Sequence, residues 1–311
     1  RVETMRKRGG LAIHGWLNID KPTAISSSAV VGQVRRATNA AKVGHAGTLD
    51  PLATGVLPVA LGEATKTVPY AMNSKKTYQF TLQFGSTTTT DDREGRIVET
   101  SNTRPERADI EAILPSFRGN IEQVPPIYSA IKINGQRAYE LARRDDIVEL
   151  APRRIHIHSL TLLEVLDTDN VVLEVVSGKG AYMRSLARDI ARALNTVGHI
   201  AWLRRITVGP FHIKNAISLD NLEMLGHSAG ASSILLPVET VLDDIPALAL
   251  TTQEANRLRH GQGIALLPVV NRSPCKGIRQ GDTVRAMNDG KLAALAKIAG
   301  GEIRPVRVMN F

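Results

Sequence analysis

The stretch Gly44-His45-Ala46-Gly47-Thr48-Leu49-Asp50-Pro51-Leu52-Ala53-Thr54-Gly55-Val56-Leu57-Pro58 constrains the fold more than any other part of this chain. Its three glycines and two prolines interrupt any helical or strand period, and Pro51 stiffens the backbone on the far side of Asp50. Leu49, Leu52, Val56 and Leu57 supply an apolar lining around that carboxylate. An acid so placed is either a turn-maker, bonded to its own backbone, or a held reagent. A carboxylate enclosed by apolar groups needs a cationic partner, which the rest of the chain has to supply.

One candidate lies in Tyr182-Met183-Arg184-Ser185-Leu186-Ala187-Arg188-Asp189-Ile190. Met183, Leu186, Ile190 and Leu194 form a helical stripe, which sets Arg184 in the first turn, where the helix dipole disfavours a cation. Arg184 therefore needs an anion, either an RNA phosphate or Asp50. Before this helix, Val171–Val176 reads as a buried strand and Ser177–Gly180 as a turn. Tyr78, Phe80, Leu82 and Phe84 alternate along a period-two strand, which on periodicity alone makes Tyr78 a core residue.

Upstream, Gly15–Pro22 reads as a short strand ending at proline, and Ser26-Ser27-Ser28 offers an N-cap for a helix. That helix carries Val30, Val34 and Ala37 inward and Arg35 and Arg36 outward. Asp91-Asp92-Arg93-Glu94-Gly95 reads as a solvated hairpin rather than a metal site, because Arg93 interrupts the acids and no His or Cys is near. Thr103-Arg104-Pro105-Glu106 has the form of a capping box opening a helix with Ile110, Ile113 and Leu114.

Between Gln123 and Arg154 the character changes. Pro125-Pro126 and Asn134-Gly135 break the chain, Lys132, Arg137, Arg143, Arg144, Arg153 and Arg154 add positive charge, and Tyr128 and Tyr139 add rings. This mixture suits phosphate contact with stacking on an RNA loop; a solvated helical hairpin is the alternative. Gly226–Ser233 is small and polar, a place for insertions. Farther on, Glu254–His260 is helical with Gly261 as its stop. Strands follow at Thr283–Met287, Leu292–Ile298 and Val306–Val308, with an Asp289-Gly290 turn.

Lys and Arg outnumber Asp and Glu by 39 to 30, a formal net charge of +9, which suits a polyanionic partner. The chain has a single cysteine, Cys275, which excludes an internal disulfide or a four-thiolate zinc site and fits a cytoplasmic setting. No apolar run reaches the roughly 18 residues of a membrane span. The basic Arg1–Arg8 stretch leads only to a short apolar Leu11-Ala12-Ile13, too little for a signal peptide. The lack of any coiled-coil pattern makes a monomer the expectation.

Gly-His-x-Gly-Thr-Leu-Asp-Pro-x-Ala-x-Gly-x-Leu-Pro, followed by Gly62-Glu63-Ala64-Thr65-Lys66, resembles the signature loop of the pseudouridine synthases, specifically the bacterial tRNA pseudouridine-55 synthase (TruB) family. The Tyr182–Ile190 block and Trp202-Leu203-Arg204-Arg205-Ile206 extend the resemblance. It implies an α+β fold with a mixed, largely antiparallel central sheet flanked by helices, and a small C-terminal β-barrel of PUA type. The implied domains are a catalytic unit over 10–247, with an RNA-gripping insertion at about 123–154, and an RNA-binding unit over 248–311.

The implied reaction converts uridine to pseudouridine at position 55 in the TΨC arm of tRNA. It needs no metal, nucleotide or redox cofactor. Asp50 would be nucleophile or base, Arg184 its partner, and Tyr78 the ring that packs on the base and accepts its C5 proton. His45 would be a wedge for the vacated stack, Leu203 an apolar wall, and Tyr182 a further substrate contact. Lys21 is either a substrate contact or a solvated lysine. Ala24 and Ala191 stand where the family often has glycine, so the turn after Pro22 is expected to differ slightly. Three other readings keep parts of this picture: a non-catalytic RNA-binding or tRNA-folding protein on the same scaffold, a synthase for another RNA, and a hydrolase with an Asp50–His45 dyad. The last lacks a motif with a serine or cysteine nucleophile.

Overall fold

Strand β1 (Gly15–Lys21), buried at six of its seven residues rather than on alternate ones, runs to the proline that ends it. The serine cluster then caps a helix, Ser27–Thr38, with Ser26 Oγ accepting from the Ala29 N–H at 3.1 Å. Val30 and Val34 are buried on that helix, and Arg35 and Arg36 face solvent, as their spacing predicts. The structure, a computed structural model, describes residues 9–129, 132–133, 136–137, 150–226, 233–275 and 277–311.

The strands that follow are β2 (Val43–His45), β3 (Thr54–Leu61), β4 (Lys76–Phe84), β5 (Ser86–Thr88), β6 (Ile97–Thr100) and β7 (Gly119–Gln123). Then come β8 (Lys132–Ile133), β9 (Gln136–Arg137), β10 (Arg153–Val165), β11 (Asn170–Ser177), β12 (Gly198–Val208) and β13 (Phe211–His212). The main sheet runs β1-β3-β12-β4-β11-β10-β7, with β2 added to β3 and β13 to β12. Its pairs are antiparallel except β3 with β12, so the sheet is mixed and largely antiparallel. Phe80, Leu82 and Phe84 on β4 pack with Met183, Leu186 and Ile190 of the Met183–Ala193 helix in one core. Burying those side chains contributes roughly 1.5–3 kcal/mol each, which fixes the register of Arg184 on the same helix.

Two sequence expectations shift. The helix Arg107–Ile113 starts later than the Thr103 box implies: Glu106 is its N-cap, and the Glu106 N–H donates to Asp109 Oδ2 at 3.1 Å. Pro105 supplies no N–H, and Arg104 is engaged instead with Asp169 at 2.5 Å. Strand β11 is buried on alternate residues only, because it lies between β4 and β10 with one face open. β8 and β9 pair within the basic insertion, whereas Tyr139, Arg143, Arg144 and the Asn134-Gly135 turn lie outside the described residues. So does most of the Gly226–Ser233 stretch.

A second sheet, ordered β14-β16-β17-β18-β15, closes the chain: β14 (Ala247–Ala249), β15 (Ile264–Ala265), β16 (Thr283–Asn288), β17 (Lys291–Ala299) and β18 (Glu302–Val308). Thr251 caps the adjoining helix Thr252–Arg259 through a box with Glu254. Where the resemblance implies a barrel, β14 and β15 form two unpaired edges among the described residues. Strands of three and two residues give too little backbone to close it. This sheet shares a core with the first through Leu292, Leu295 and Met309 against Trp16, Ala60 and Ala64. The Gly62–Lys66 block works there: Lys66 Nζ donates to Glu63 (2.6 Å) and Val308 O (2.7 Å), and Glu63 accepts from the Asn310 N–H (2.9 Å). No helix among the described residues is long and apolar enough to cross a membrane.

Candidate active site

β2 and β12 share one edge of β3, β2 at Val59–Leu61 and β12 at Thr54–Gly55. The loop between β2 and β3 therefore crosses the end of β12 and carries Asp50 over the sheet. Gly55 makes this crossing possible: its φ is +103°, and a Cβ there would stand 2.2 Å from Arg205 O.

Both flanks of the loop are tied down through its backbone. Ser27 Oγ donates to Leu49 O (3.0 Å) and accepts from the Leu49 N–H (2.9 Å). Thr23 Oγ1 donates to Leu52 O (3.2 Å), and the Ala24 N–H to Pro51 O (2.9 Å). From the other side, the buried Arg205 donates to Val56 O (2.7 Å) and Gly47 O (3.0 Å). Sequence reasoning gave Arg205 no role, although an arginine at an inward-facing position of a strand was a signal.

Ala24 holds the left-handed backbone, φ +63°, that a glycine would adopt, so the turn is kept rather than altered. Ala24→Gly is expected to stabilise the fold by about 0.5–1 kcal/mol, strain relief outweighing the added unfolded-state entropy. The Asp50 loop should keep its conformation. Chemical denaturation reads the difference, and a destabilised variant would contradict the strain argument.

Lys21 is neither solvated nor part of the pocket lining. Its Nζ donates to the carbonyls of Pro22 (2.9 Å), Ile25 (2.7 Å) and Pro51 (3.2 Å), so it pins the residue after Asp50. Burial lowers its pKa from the ordinary 10.5 to about 8, against the opposing pull of Asp50. Below about 8 the lysine is charged in both folded and unfolded chains, and burying that charge costs stability. Between about 8 and 10.5 the unfolded chain binds more protons than the folded one, so stability rises with pH in that window. The wild type should therefore gain on a Lys21→Met variant as pH climbs from about 7.5 to about 9.5. Urea unfolding at both values would show it; a gap that narrows would count against the assignment.

Asp50 meets Arg184 across the cleft, Oδ2 to Nε at 2.9 Å. The guanidinium is buried, its side chain 6% exposed against 38% for Asp50, so the acid offers an open face to an incoming group. Asp50 Oδ1 accepts no hydrogen bond from a described residue. Arg184 also donates to Thr90 O (3.1 Å) and Tyr128 O (2.9 Å), which fixes the plane of its fork.

The expectation of a solvated hairpin at Asp91–Glu94 is corrected here. Asp92 is buried, with its Oδ2 4.0 Å from Arg184 Nε, while its Oδ1 accepts from Thr90 Oγ1 (2.6 Å) and the Glu94 N–H (3.0 Å). Asp91 pairs with Arg188 at 3.0 Å. Burial raises the Asp91 pKa, opposed by Arg188 and Arg184. Arg184 and Arg188 stand one helical turn apart and meet two adjacent acids, a spacing visible in the sequence but ambiguous until the hairpin is placed against the helix.

Asp50, Tyr78, Tyr182, Arg184 and Leu203 line one cavity of about 280 Å³, near the lower limit of small-molecule sites at about 300 Å³. Tyr78 and Leu203 are buried in its wall. Tyr182 caps the Met183–Ala193 helix, and its N–H donates to Gln123 Oε1 at 2.8 Å. Burial raises its phenol pKa, against Arg153 and Arg184. His45 ends β2 outside the cavity lining. Its Nδ1 is buried without a partner among the described residues, and burial, then Arg205, lowers its pKa, which favours the neutral ring.

The chain is similar to known proteins. Residues 35–183 match the TruB family pseudouridylate synthase N-terminal domain, and residues 184–243 match the tRNA pseudouridylate synthase B C-terminal domain. The tRNA pseudouridine synthase B of Rhodospirillum rubrum is 57% identical over 306 residues, covering 98% of this chain and 99% of the relative. The protein of the same name from Caulobacter sp. strain K31 is 51% identical over 307 residues, covering 98% and 99%. Among solved structures, one chain of a Cbf5-Nop10-Gar1 complex superposes with a TM-score of 0.73 at 26% identity, covering 95% of this chain and 84% of that one.

Proposed function

Since the chain belongs to the TruB family of pseudouridylate synthases, we propose that it isomerises uridine to pseudouridine in tRNA, at position 55 of the TΨC arm. The observation that carries this reading is the Asp50–Arg184 pair at 2.9 Å opening onto a cavity walled by Tyr78. A role limited to RNA binding would give that half-exposed carboxylate and its buried partner no task.

The reaction breaks the N1–C1′ bond, turns the uracil and joins C5 to C1′. The target nucleotide has to leave its stack, because its reacting atoms are unreachable inside folded RNA. Asp50 then acts on the nucleoside through its partly exposed carboxylate while Arg184 holds Oδ2 and keeps the group oriented. Tyr78 stacks on the uracil, Leu203 backs it, and Tyr182 closes the rim. As C5 bonds to C1′, the C5 proton leaves toward Tyr78 and N1 takes up a proton, so the product is an isomer. His45, neutral and at the loop's entrance, fills the place the base vacates. Lys21 acts on the reaction only through the loop backbone.

In this reading residues 10–247 form the catalytic unit, and residues 248–311 form a PUA-like unit that holds RNA. The protein works as a monomer in the bacterial cytoplasm. Mapping pseudouridines in total RNA from cells with and without this protein tests the target: loss of the TΨC-loop site alone is expected. Loss at another RNA, with that site retained, would reassign the substrate.

A further inference from the structure

The active-site cavity carries more positive charge than the Asp50–Arg184 pair accounts for. Lys76 and Tyr78 lie two residues apart on β4 and both reach the cavity. Arg205 stands opposite Tyr78 on β12, and Ser177, opposite Lys76 on β11, leads directly into the turn carrying Lys179. Three neighbouring strands thus bring Lys76, Arg205 and Lys179 to one side of the cavity. Asp50 is the sole carboxylate among the described residues of the lining, and it is already engaged with Arg184.

Lys76 and Arg205 are both more than nine-tenths buried, yet none of the three cations has an ion pair among the described residues. Lys76 Nζ donates to Met72 O (2.8 Å) and Ser74 O (2.7 Å), which leaves one of its three N–H donors without an acceptor among the described residues. Burial, with Arg205 and Lys179 adding to it, lowers the Lys76 pKa to about 8. Buried cations without an anion are costly, and the arrangement is explained if the anion arrives with the substrate. Uracil and ribose are neutral; the anionic part of RNA is its phosphodiester.

We propose that Lys76, Arg205 and Lys179 form a subsite for a phosphodiester flanking the extruded uridine. Lys76 is the buried contact, Lys179 the exposed one, and Arg205 supplies charge while bracing the loop. The site sets where the sugar sits relative to Asp50. The inference rests on the reading of the protein as a uridine isomerase.

The test uses synthetic TΨC stem-loops carrying one uncharged methylphosphonate linkage, either directly 5′ or directly 3′ of the target uridine. Dissociation constant and single-turnover rate are both measured, with the wild type, Lys76→Met and Lys76→Arg. A hydrogen-bonded charge pair of this kind is worth about tenfold or more. The wild type is expected to lose about that factor at one of the two linkages. Lys76→Met should lose a similar factor on all-phosphate RNA and nothing further at that same linkage, and Lys76→Arg should recover part of the loss. A wild type indifferent to both linkages, or losses that simply multiply at both, would overturn the subsite, and the wild-type result does not depend on any variant folding. Tight binding of every RNA without pseudouridine formation would instead sink the enzymatic reading, while the dissociation constants still report on the subsite.

Discussion

Asp50→Asn is expected to reduce pseudouridine formation on unmodified tRNA by at least about a thousandfold, the scale seen when a reacting side chain is lost. An amide keeps the shape and one acceptor for Arg184 but supplies neither a charged nucleophile nor a useful base. Because Asp50 is partly exposed and Arg184 keeps Thr90 O, Tyr128 O and Asp92 as partners, RNA affinity and melting temperature should hardly move. Single-turnover assays with parallel melting curves separate chemistry from folding. A variant that still makes pseudouridine at a comparable rate would remove Asp50 from the reaction.

Arg184→Met should fail on both counts. It strips Asp50 of its orienting partner and leaves Asp92 buried with no ion-pair partner among the described residues, a loss of about 3 kcal/mol or more. The rate should drop by about a hundredfold or more, as misplaced reacting groups do. Arg184→Lys is expected to restore little, because one ammonium cannot span Asp50 and two carbonyls in different directions. Urea unfolding together with single-turnover rates checks this, and a Met variant as stable as the wild type would refute the buried network.

These two side chains also show how far the residues alone carried the reading. Arg184 was legible because a cation at a helix start calls for an anion, and Asp50 because proline and glycine isolate it. Tyr78 was less clear: a period-two strand hides a cavity-lining tyrosine among core residues, and only the resemblance separated the two. The burial of Asp92 and of Lys21 was not legible, for one reason. Each looks polar and solvated in its own segment, and each is buried by elements distant in the chain, Asp92 beneath the Met183–Ala193 helix and Lys21 beneath the Asp50 loop.

Local order was therefore determined by sequence: alternation set the strands, stripes set the helices, and serine and threonine caps set where helices begin, all through interactions within a few residues. Tertiary structure decided which charges meet. The parallel contact of β3 with β12 brings Arg205 under the loop, and packing of one helix on β4 brings Arg184 to Asp50 and Asp92. An ion pair depends on distances of a few ångströms between groups more than ninety residues apart, and chain spacing does not encode such distances until the core has packed.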